Sequence, residues 1–538
     1  MTEDVLAQIL TVCRRHPDRV AVVVGSEQLT YRELDRASAS LSRRLSAAGV
    51  GIGQIVLVHR RQSVHTVVAM MAALRAGGAW CVLEPAHPRE QMETTLADID
   101  CGAIIFDADD PATTPESMAA LSRHSRTPPV LIGDHIDDTQ PTGPDVSVPP
   151  GAPAYVVTTS GTTGVPKAVV VTRANVAEMV AGRDYSGNAP VVAFSAFRFT
   201  WDGALLTTLW SLCHGGISVL PDGHDLANPD AAAALAYAWS ATTLAATPSF
   251  YRLLLPYLAR GVEALDTVIL AGEALPGGLV ARHRETLPGV ELRNEYGPTE
   301  TTVSCVASVV EAVPGTIAPI GEPMGATTTH VLDDKLMPVA PGTIGDLYLG
   351  GPQVSDGYAA RPAATAARFL PDPSGDRPGK RIYRTGDLVR VEPSGDIAFC
   401  GRVDGQVKIR GVRVERHAVE AVLESHPGIH QAVVLTTTNA FGESALVAFW
   451  TPSAEASALP GTHDLMAYCK QRVVEQSVPG LFVPLGAFPL AASSKVDETA
   501  LRHLLDTSVG HPVWDEHSKR AVPDEHSKRA GSGGVRLP

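Results

Sequence analysis

Short runs of β-branched residues alternate with segments of helical period along the first hundred residues. Val20–Val24 and Ile55–His59 read as strands, as do 81–83 and 103–106. Residues 64–76 carry apolar side chains at three- and four-residue spacing and predict a helix, and 88–99 predicts another. This rhythm is that of a parallel sheet covered by helices. Residues 107–150 are rich in Asp, Pro, Thr and Ser and predict a long surface excursion before the sheet resumes at 155–157. From 344 to 399 the texture changes to short strands punctuated by Gly, Pro and Asp, including 346–349 and 397–399, which predicts a small β-rich subdomain. Beyond Gly405 a compact mixed unit follows: a hairpin at 407–409 and 412–414, a helix at 419–425, strands at 432–436 and 445–450, and a helix at 463–474.

The fold class expected is therefore α/β. A large N-terminal domain, 1–402, would combine parallel and mixed sheets, helices and the β-rich subdomain, and a smaller α+β domain would occupy 403–510. The last stretch, 511–538, holds DEHSKRA twice and then GSGG; a charged duplicated heptad has too few apolar residues to join a core and is expected to be a disordered tail.

Composition narrows the function class. The 538 residues carry 44 Lys+Arg against 58 Asp+Glu, a formal charge of −14, which argues against a nucleic-acid wrapper or a polybasic membrane-surface protein. With 44% hydrophobic and 19% charged residues the chain can bury several cores, as a soluble globular protein does. No run approaches the roughly 18 apolar residues of a membrane span. The N-terminus is acidic first and apolar second, the reverse of a signal peptide, so a cytoplasmic location is expected. The seven cysteines are scattered without a CxxC pair, which fits reduced structural thiols and argues against a zinc site.

The strongest local signal is YVVTTSGTTGVPKAVVV at 155–171, a strand entering a Ser/Gly/Thr turn, then a lysine and a second apolar strand. Clustered backbone N–H groups, hydroxyls, small residues and one cation suit a phosphate. Gly161, Gly164 and Lys167 do not fit GxxxxGK[ST], so a Walker loop is disfavoured. A lone TSG would more often be only a flexible turn.

Together with LTYRELDRAS (29–38), LRAGGAWCVLEP (74–85), NEYGPTETT (294–302), GDLYLGGPQVSDGY (345–358), YRTGDLVR (383–390), GRVDGQVKIRGVRVE (401–415) and SSKVD (493–497), this string makes eight motifs in one order. The chain so resembles the adenylate-forming superfamily, most closely the amino-acid adenylation domains of nonribosomal peptide synthesis. The resemblance implies ATP and Mg2+ as cofactors. Thr159, Ser160, Gly161, Thr162, Thr163, Gly164 and Lys167 would cradle the departing phosphates, and Thr299 would reach the α-phosphate. Tyr296 would stack on adenine, Asp387 would accept from the ribose hydroxyls, and Arg402 would orient the nucleotide. Glu300 would be the magnesium ligand, a hard carboxylate oxygen for a hard cation. Lys495 would stabilise charge in the transition state within a closed, dry site. Asp404 would be the hinge of a mobile C-terminal domain that serves two half-reactions. Taken alone, Asp387 and Asp404 read as turn residues and Lys495 as a surface charge; SSK also departs from the family's Asn-Gly-Lys.

Counting back from Gly215-Gly216 aligns Asp202 with the family aspartate that holds a substrate ammonium group; its local alternative is a helix N-cap. The implied pocket continues with Gly203, Leu206, Ala245, Ile269, Ala271, Glu295, Val303, Ser304 and Lys495. Small and apolar walls favour a large hydrophobic or aromatic side chain, and apart from Lys495, which serves the reacting carboxylate, no Lys or Arg among these positions favours an acidic one. Glu295 is open: it receives a phenol or an amine, or turns to the backbone. The absence of a carrier motif after 497 suggests a free-standing enzyme that loads a separate carrier protein, with a lean toward β-amino acid starter units over tyrosine-like amino acids. A small helper protein stays open as a further partner; neither nucleic acid nor membrane is expected. The competing readings are an acyl- or aryl-CoA ligase on the same fold and a degenerate binding module.

Overall fold

The computed structural model describes residues 3–107, 109–110, 113–123, 130–133, 146–159, 166–183, 191–223, 226, 228–259, 263–311, 317–373, 379–403, 407–409, 412–438, 444–453, 459–489 and 496–508. The tail, Asp404, Lys495 and the turn residues Ser160, Gly161, Thr162, Thr163 and Gly164 lie outside them. The chain divides into two compact units, Met1–Ala418 and Val419–Pro538.

In the first unit, nine described strands form one sheet. Its middle runs Glu291–Tyr296, Thr267–Ala271, Thr243–Ala246, Val192–Ser195, Ile217–Leu220 and Val20–Val24, all parallel, with antiparallel strands at both edges. A seven-stranded sheet runs Gly357–Tyr358, Lys167–Thr172, Pro153–Thr159, Ala79–Val82, Ile55–His59, Cys101–Phe106 and Val130–Gly133. Strand alternation decides which core each side chain enters. Ala245 faces a core shared by both sheets and the helices Val5–Arg15, Tyr31–Ala47, Val64–Arg75 and Leu205–Cys213, whereas Leu244 and Ala246 face the outer helices Pro248–Leu258 and Gly277–Thr286. Helix starts are written locally: Thr30 and Glu33 form a reciprocal capping box for Tyr31–Ala47.

The expected excursion at 107–150 requires correction. It contains the helix Pro115–Ser122, which buries Met118 and Leu121, and the strand Val130–Gly133, which pairs in parallel with Cys101–Phe106. Polar composition around a four-residue strand hid an edge of the sheet, because an edge strand needs few apolar positions.

The β-rich subdomain is an antiparallel sheet of Thr328–Leu332, Gly345–Gly350, Arg381–Val391 and Phe369–Pro371, with Ile397–Arg402 also paired to Arg381–Val391. The expected hairpin pairs Val407–Ile409 with Val412–Val414. In the second unit, Ile429–Thr438 and Ser444–Pro452 are antiparallel and Leu481–Pro484 joins in parallel. The helix Glu498–Ser508 buries Leu501 against this sheet, where Leu435, Val447 and Phe449 form the core.

Candidate active site

The strand Glu291–Tyr296 ends at the site, and its alternation sends Glu295 and Tyr296 to opposite faces. On one face the Tyr296 hydroxyl donates to Asp387, and Arg402 donates to the other oxygen of the same carboxylate. Asp387 and Arg402 are cross-strand partners in the subdomain sheet, and Arg402 also donates to the Thr385 carbonyl at 3.1 Å. Enclosure raises the Tyr296 phenol well above its ordinary range, and the neighbouring Asp387 charge adds to it. The phenol therefore stays neutral, a flat ring and a donor.

Immediately after this strand the chain turns sharply. An added Cβ on Gly297 would meet Ser304 Cα at 2.4 Å, so only glycine allows the two backbones to approach so closely. Thr302 and Val303 both take positive φ, 59° and 69°, a costly conformation for β-branched residues. Gln353 holds it in place: its amide donates to the carbonyls of Thr301, Thr302 and Ser304 at 3.3, 3.2 and 3.0 Å, while the Thr302 hydroxyl donates to the Gln353 carbonyl at 2.7 Å. The turn carries Thr299 and Glu300, and Glu300 is only 1% exposed.

The Tyr358 hydroxyl donates to Glu300 Oε1 at 2.7 Å, and the Tyr358 ring has Lys167 Nζ 5.2 Å from its centroid. Lys167 pairs with Thr159 across the antiparallel strands Pro153–Thr159 and Lys167–Thr172, and the Thr159 hydroxyl donates to the Lys167 carbonyl at 3.5 Å. Tyr358 thus links Lys167 with Glu300, and Lys167 in turn pairs with Thr159. An acceptor-only carboxylate suits Mg2+, which takes one or two carboxylates and fills its other positions with phosphate oxygens and water. Among the described residues no cluster of three or more His, Cys, Asp or Glu could hold a metal by itself.

The other face carries the positions that the resemblance assigns to the substrate pocket. Ala245 is in register with Ile269 on the neighbouring strand, and Ala271 with Glu295 on the next. Leu206, Ala245, Ile269, Ala271 and Val303 share one buried cluster. Asp202 opens the short turn Asp202–Ala204 ahead of the helix Leu205–Cys213 and is 4% exposed. Ala204 stands at the N-cap of that helix, so Asp202 does not occupy the capping position. Asp202 raises the buried Tyr155 phenol further above its ordinary range, with burial the larger cause and Arg183 opposing. The indole of Trp201 stands against Gly203 and Gly272: Cβ atoms added there would meet it at 3.2 and 2.5 Å.

Glu295 meets side chains of this chain. Its Oε2 accepts from Arg183 at 3.3 Å and from the Ser304 hydroxyl. The wall positions chosen by resemblance contain no arginine; Arg183 lies outside them and reaches Glu295 from the end of the helix Arg173–Ala181. Sequence reasoning also passed over Gln353, Tyr358 and Trp201. The first two stand inside a quoted motif and Trp201 adjoins Asp202, so position along the chain was the available signal.

The family model for AMP-binding enzymes matches residues 10–359. The chain belongs to that family. Among curated relatives, the phosphinothricin tripeptide synthetase PhsC of Streptomyces viridochromogenes is 36% identical over 91% of this chain and 44% of its own length. A linear gramicidin synthase polypeptide of Brevibacillus parabrevis is 35% identical over 90% of this chain and 9% of its own. The dimodular nonribosomal peptide synthase of Bacillus subtilis is 33% identical over 90% of this chain and 20% of its own. The chain thus spans less than half the length of these relatives. A solved holo NRPS protein containing adenylation and PCP domains has a TM-score of 0.81 and 26% identity, covering 93% of this chain and 84% of the other. The amide bond synthetase McbA of Marinactinospora thermotolerans, with a TM-score of 0.81 and 21% identity over 93% and 99%, shares the fold. The AMP-binding chain is an adenylation domain of the adenylate-forming superfamily, with homologues among the nonribosomal peptide synthetases. No described helix is long and apolar enough to cross a membrane.

Proposed function

We propose that this chain activates an amino acid as its adenylate and transfers the aminoacyl group to the phosphopantetheine thiol of a carrier protein. One observation carries the amino acid: Asp202, a buried carboxylate at the head of an apolar wall. Such a carboxylate favours an ammonium group and penalises a fatty or aryl acid, which argues against the CoA-ligase reading. The carrier is supported by the neighbouring structure that contains adenylation and PCP domains.

The substrate carboxylate attacks the α-phosphorus of ATP and pyrophosphate leaves; Mg2+ supplies charge neutralisation to the phosphates when bound. Thr159 and Lys167, with the turn between them, receive the phosphates, and Thr299 reaches the α-phosphate. Tyr296 offers its ring to adenine while Asp387, oriented by Arg402, accepts from the ribose. Glu300 would hold the metal. Lys495 stabilises the charge that moves in the transition state, and Asp404 is the hinge that removes it for thiol transfer. The side chain accepted is apolar and uncharged, with a lean toward a β-amino acid. The apolar walls support the side-chain class, and the Trp201 indole stands against Gly203 beside them.

ATP–pyrophosphate exchange across α- and β-amino acids tests the reading, followed by loading of a carrier against free CoA. Exchange with apolar amino acids and thioester on the carrier is the expected result. Exchange with aryl or fatty acids alone, or CoA thioester alone, would reverse it.

A further inference from the structure

The pocket wall of an enzyme that takes an apolar side chain holds a buried ion pair. Arg183 and Glu295 both have fully buried side chains. The Arg183 guanidinium donates to Glu295 Oε2 at 3.3 Å, to the Ser304 carbonyl at 3.1 Å and to the Ser304 hydroxyl; that hydroxyl donates in turn to the same Glu295 oxygen. Arg183 also donates to the Met179 carbonyl, and its own carbonyl accepts from the Trp210 indole at 3.3 Å. The pair is therefore anchored on both sides.

Its location is what makes it informative. Glu295 stands across from Ala271 on the face that also carries Ile269 and Ala245, and Ser304 follows Val303. The Arg183 carbonyl is held by Trp210 on the helix Leu205–Cys213, which directly follows the turn that Asp202 opens, so one helix connects the pair to the proposed ammonium-binding carboxylate. Well-packed apolar residues hold such a place at least as stably as an ion pair, and removing one partner alone leaves an uncompensated charge. A pair kept on the wall of a binding pocket sets what charge the pocket presents.

We propose that Arg183 is a specificity-determining residue: by neutralising Glu295 it makes the side-chain pocket electrically neutral, and the balance between the two decides whether neutral, cationic or anionic side chains are activated. This rests on the amino-acid reading of the pocket. Uncovering Arg183 turns the pocket toward side-chain carboxylates, and uncovering Glu295 turns it toward side-chain amines, because in each case the substrate replaces the missing partner.

The test is ATP–pyrophosphate exchange on the full chain with leucine, phenylalanine, β-phenylalanine, aspartate, glutamate, lysine and ornithine, alongside melting temperatures. Glu295→Gln is expected to raise kcat/KM for the acidic amino acids relative to the neutral ones at least tenfold. Arg183→Gln is expected to do the same for lysine and ornithine, and the double variant to return to the wild-type ranking. If a single variant fails to fold, Glu295→Asp and Arg183→Lys keep both charges but loosen their contact, and a shift of at least threefold in the same directions is expected. Folded variants whose charge preference stays within twofold of wild type would overturn the inference and leave the pair a structural one. Wild-type protein inactive with every amino acid but active with another acid would instead overturn the amino-acid reading itself.

Discussion

The Tyr296 hydroxyl donates to one oxygen of Asp387 while Arg402 donates to the other, so a single carboxylate ties the end of the central sheet to the subdomain sheet. The proposed ribose acceptor is thus held by the proposed adenine platform. Asp387→Ala leaves a largely buried guanidinium without its carboxylate, a loss of about 3–5 kcal/mol for such pairs. The expected outcome is a lower melting temperature together with a KM for ATP raised at least tenfold. Tyr296→Phe keeps the ring and removes one charge-assisted bond worth roughly 1.5–3 kcal/mol. It should lower the melting temperature with a smaller effect on KM. Exchange kinetics against ATP concentration and thermal melts check both.

Cysteine chemistry gives a pH prediction. Burial pushes the thiols of Cys13, Cys81, Cys101 and Cys469 up to about 12 and that of Cys305 to about 11, and raises Cys213 as well. Only Cys400 is exposed. Because the thiolate is the nucleophile, native protein at neutral pH should take one equivalent of an alkylating reagent at Cys400, and the other six should react only on unfolding. Each raised value lies above the unfolded thiol's, so the stability these groups contribute is complete below about pH 8.5 and is lost as pH rises toward 11–12. Melting temperatures should fall across that window, and Cys81→Ala and Cys101→Ala should each make the fall shallower.

Strand identity and family were legible because apolar alternation and contiguous motifs are local properties. The pairing of Asp387 with Arg402 was not, since it is set by a cross-strand register that includes a shift between Leu388 and Val389. Arg183 escaped notice for a related reason: it meets Glu295 from 112 positions away, and nothing near it in the chain marks it. Gly203 reads in the sequence only as a small position; that the Trp201 indole stands against it is set by the fold. Val130–Gly133 was hidden because an edge strand joins a sheet through its backbone and can be surrounded by polar residues.

Glu300 and Tyr358 separate metal binding from nucleotide binding. With Tyr358→Phe the hydrogen bond to Glu300 Oε1 disappears while the ring under Lys167 stays. Partners that orient a metal-ligating carboxylate typically change metal affinity by roughly 10–100-fold. The Mg2+ concentration for half-maximal exchange should therefore rise roughly tenfold or more, with KM for ATP at saturating Mg2+ little changed. Tyr358→Leu removes the ring too and should raise both. Glu300→Gln should lower kcat about 100-fold or more at any Mg2+ concentration. An unchanged Mg2+ titration in Tyr358→Phe would exclude Glu300 as the metal ligand that this tyrosine orients.

The turn that follows Tyr296 stores strain at Thr302 and Val303, and Gln353 opposes its release through three carbonyls. Replacing Gln353 with Ala frees those carbonyls and lets both residues relax from positive φ, which moves Thr299 and Glu300 on one side and Val303 and Ser304 on the other. Misplacement of that kind costs on the order of 10²-fold in rate when reacting groups shift by about 1 Å. The expected signature is a fall in kcat with both substrates' KM affected, because one turn serves both faces. Gln353→Glu cannot rescue it, since a carboxylate has no N–H to donate. Gly297→Ala reaches the same turn from the other side, forcing Ser304 away from a contact at 2.4 Å, and should reproduce the defect. If Gln353→Ala lost stability but kept wild-type kcat at 20 °C, the turn would be a scaffold without influence on the reacting groups.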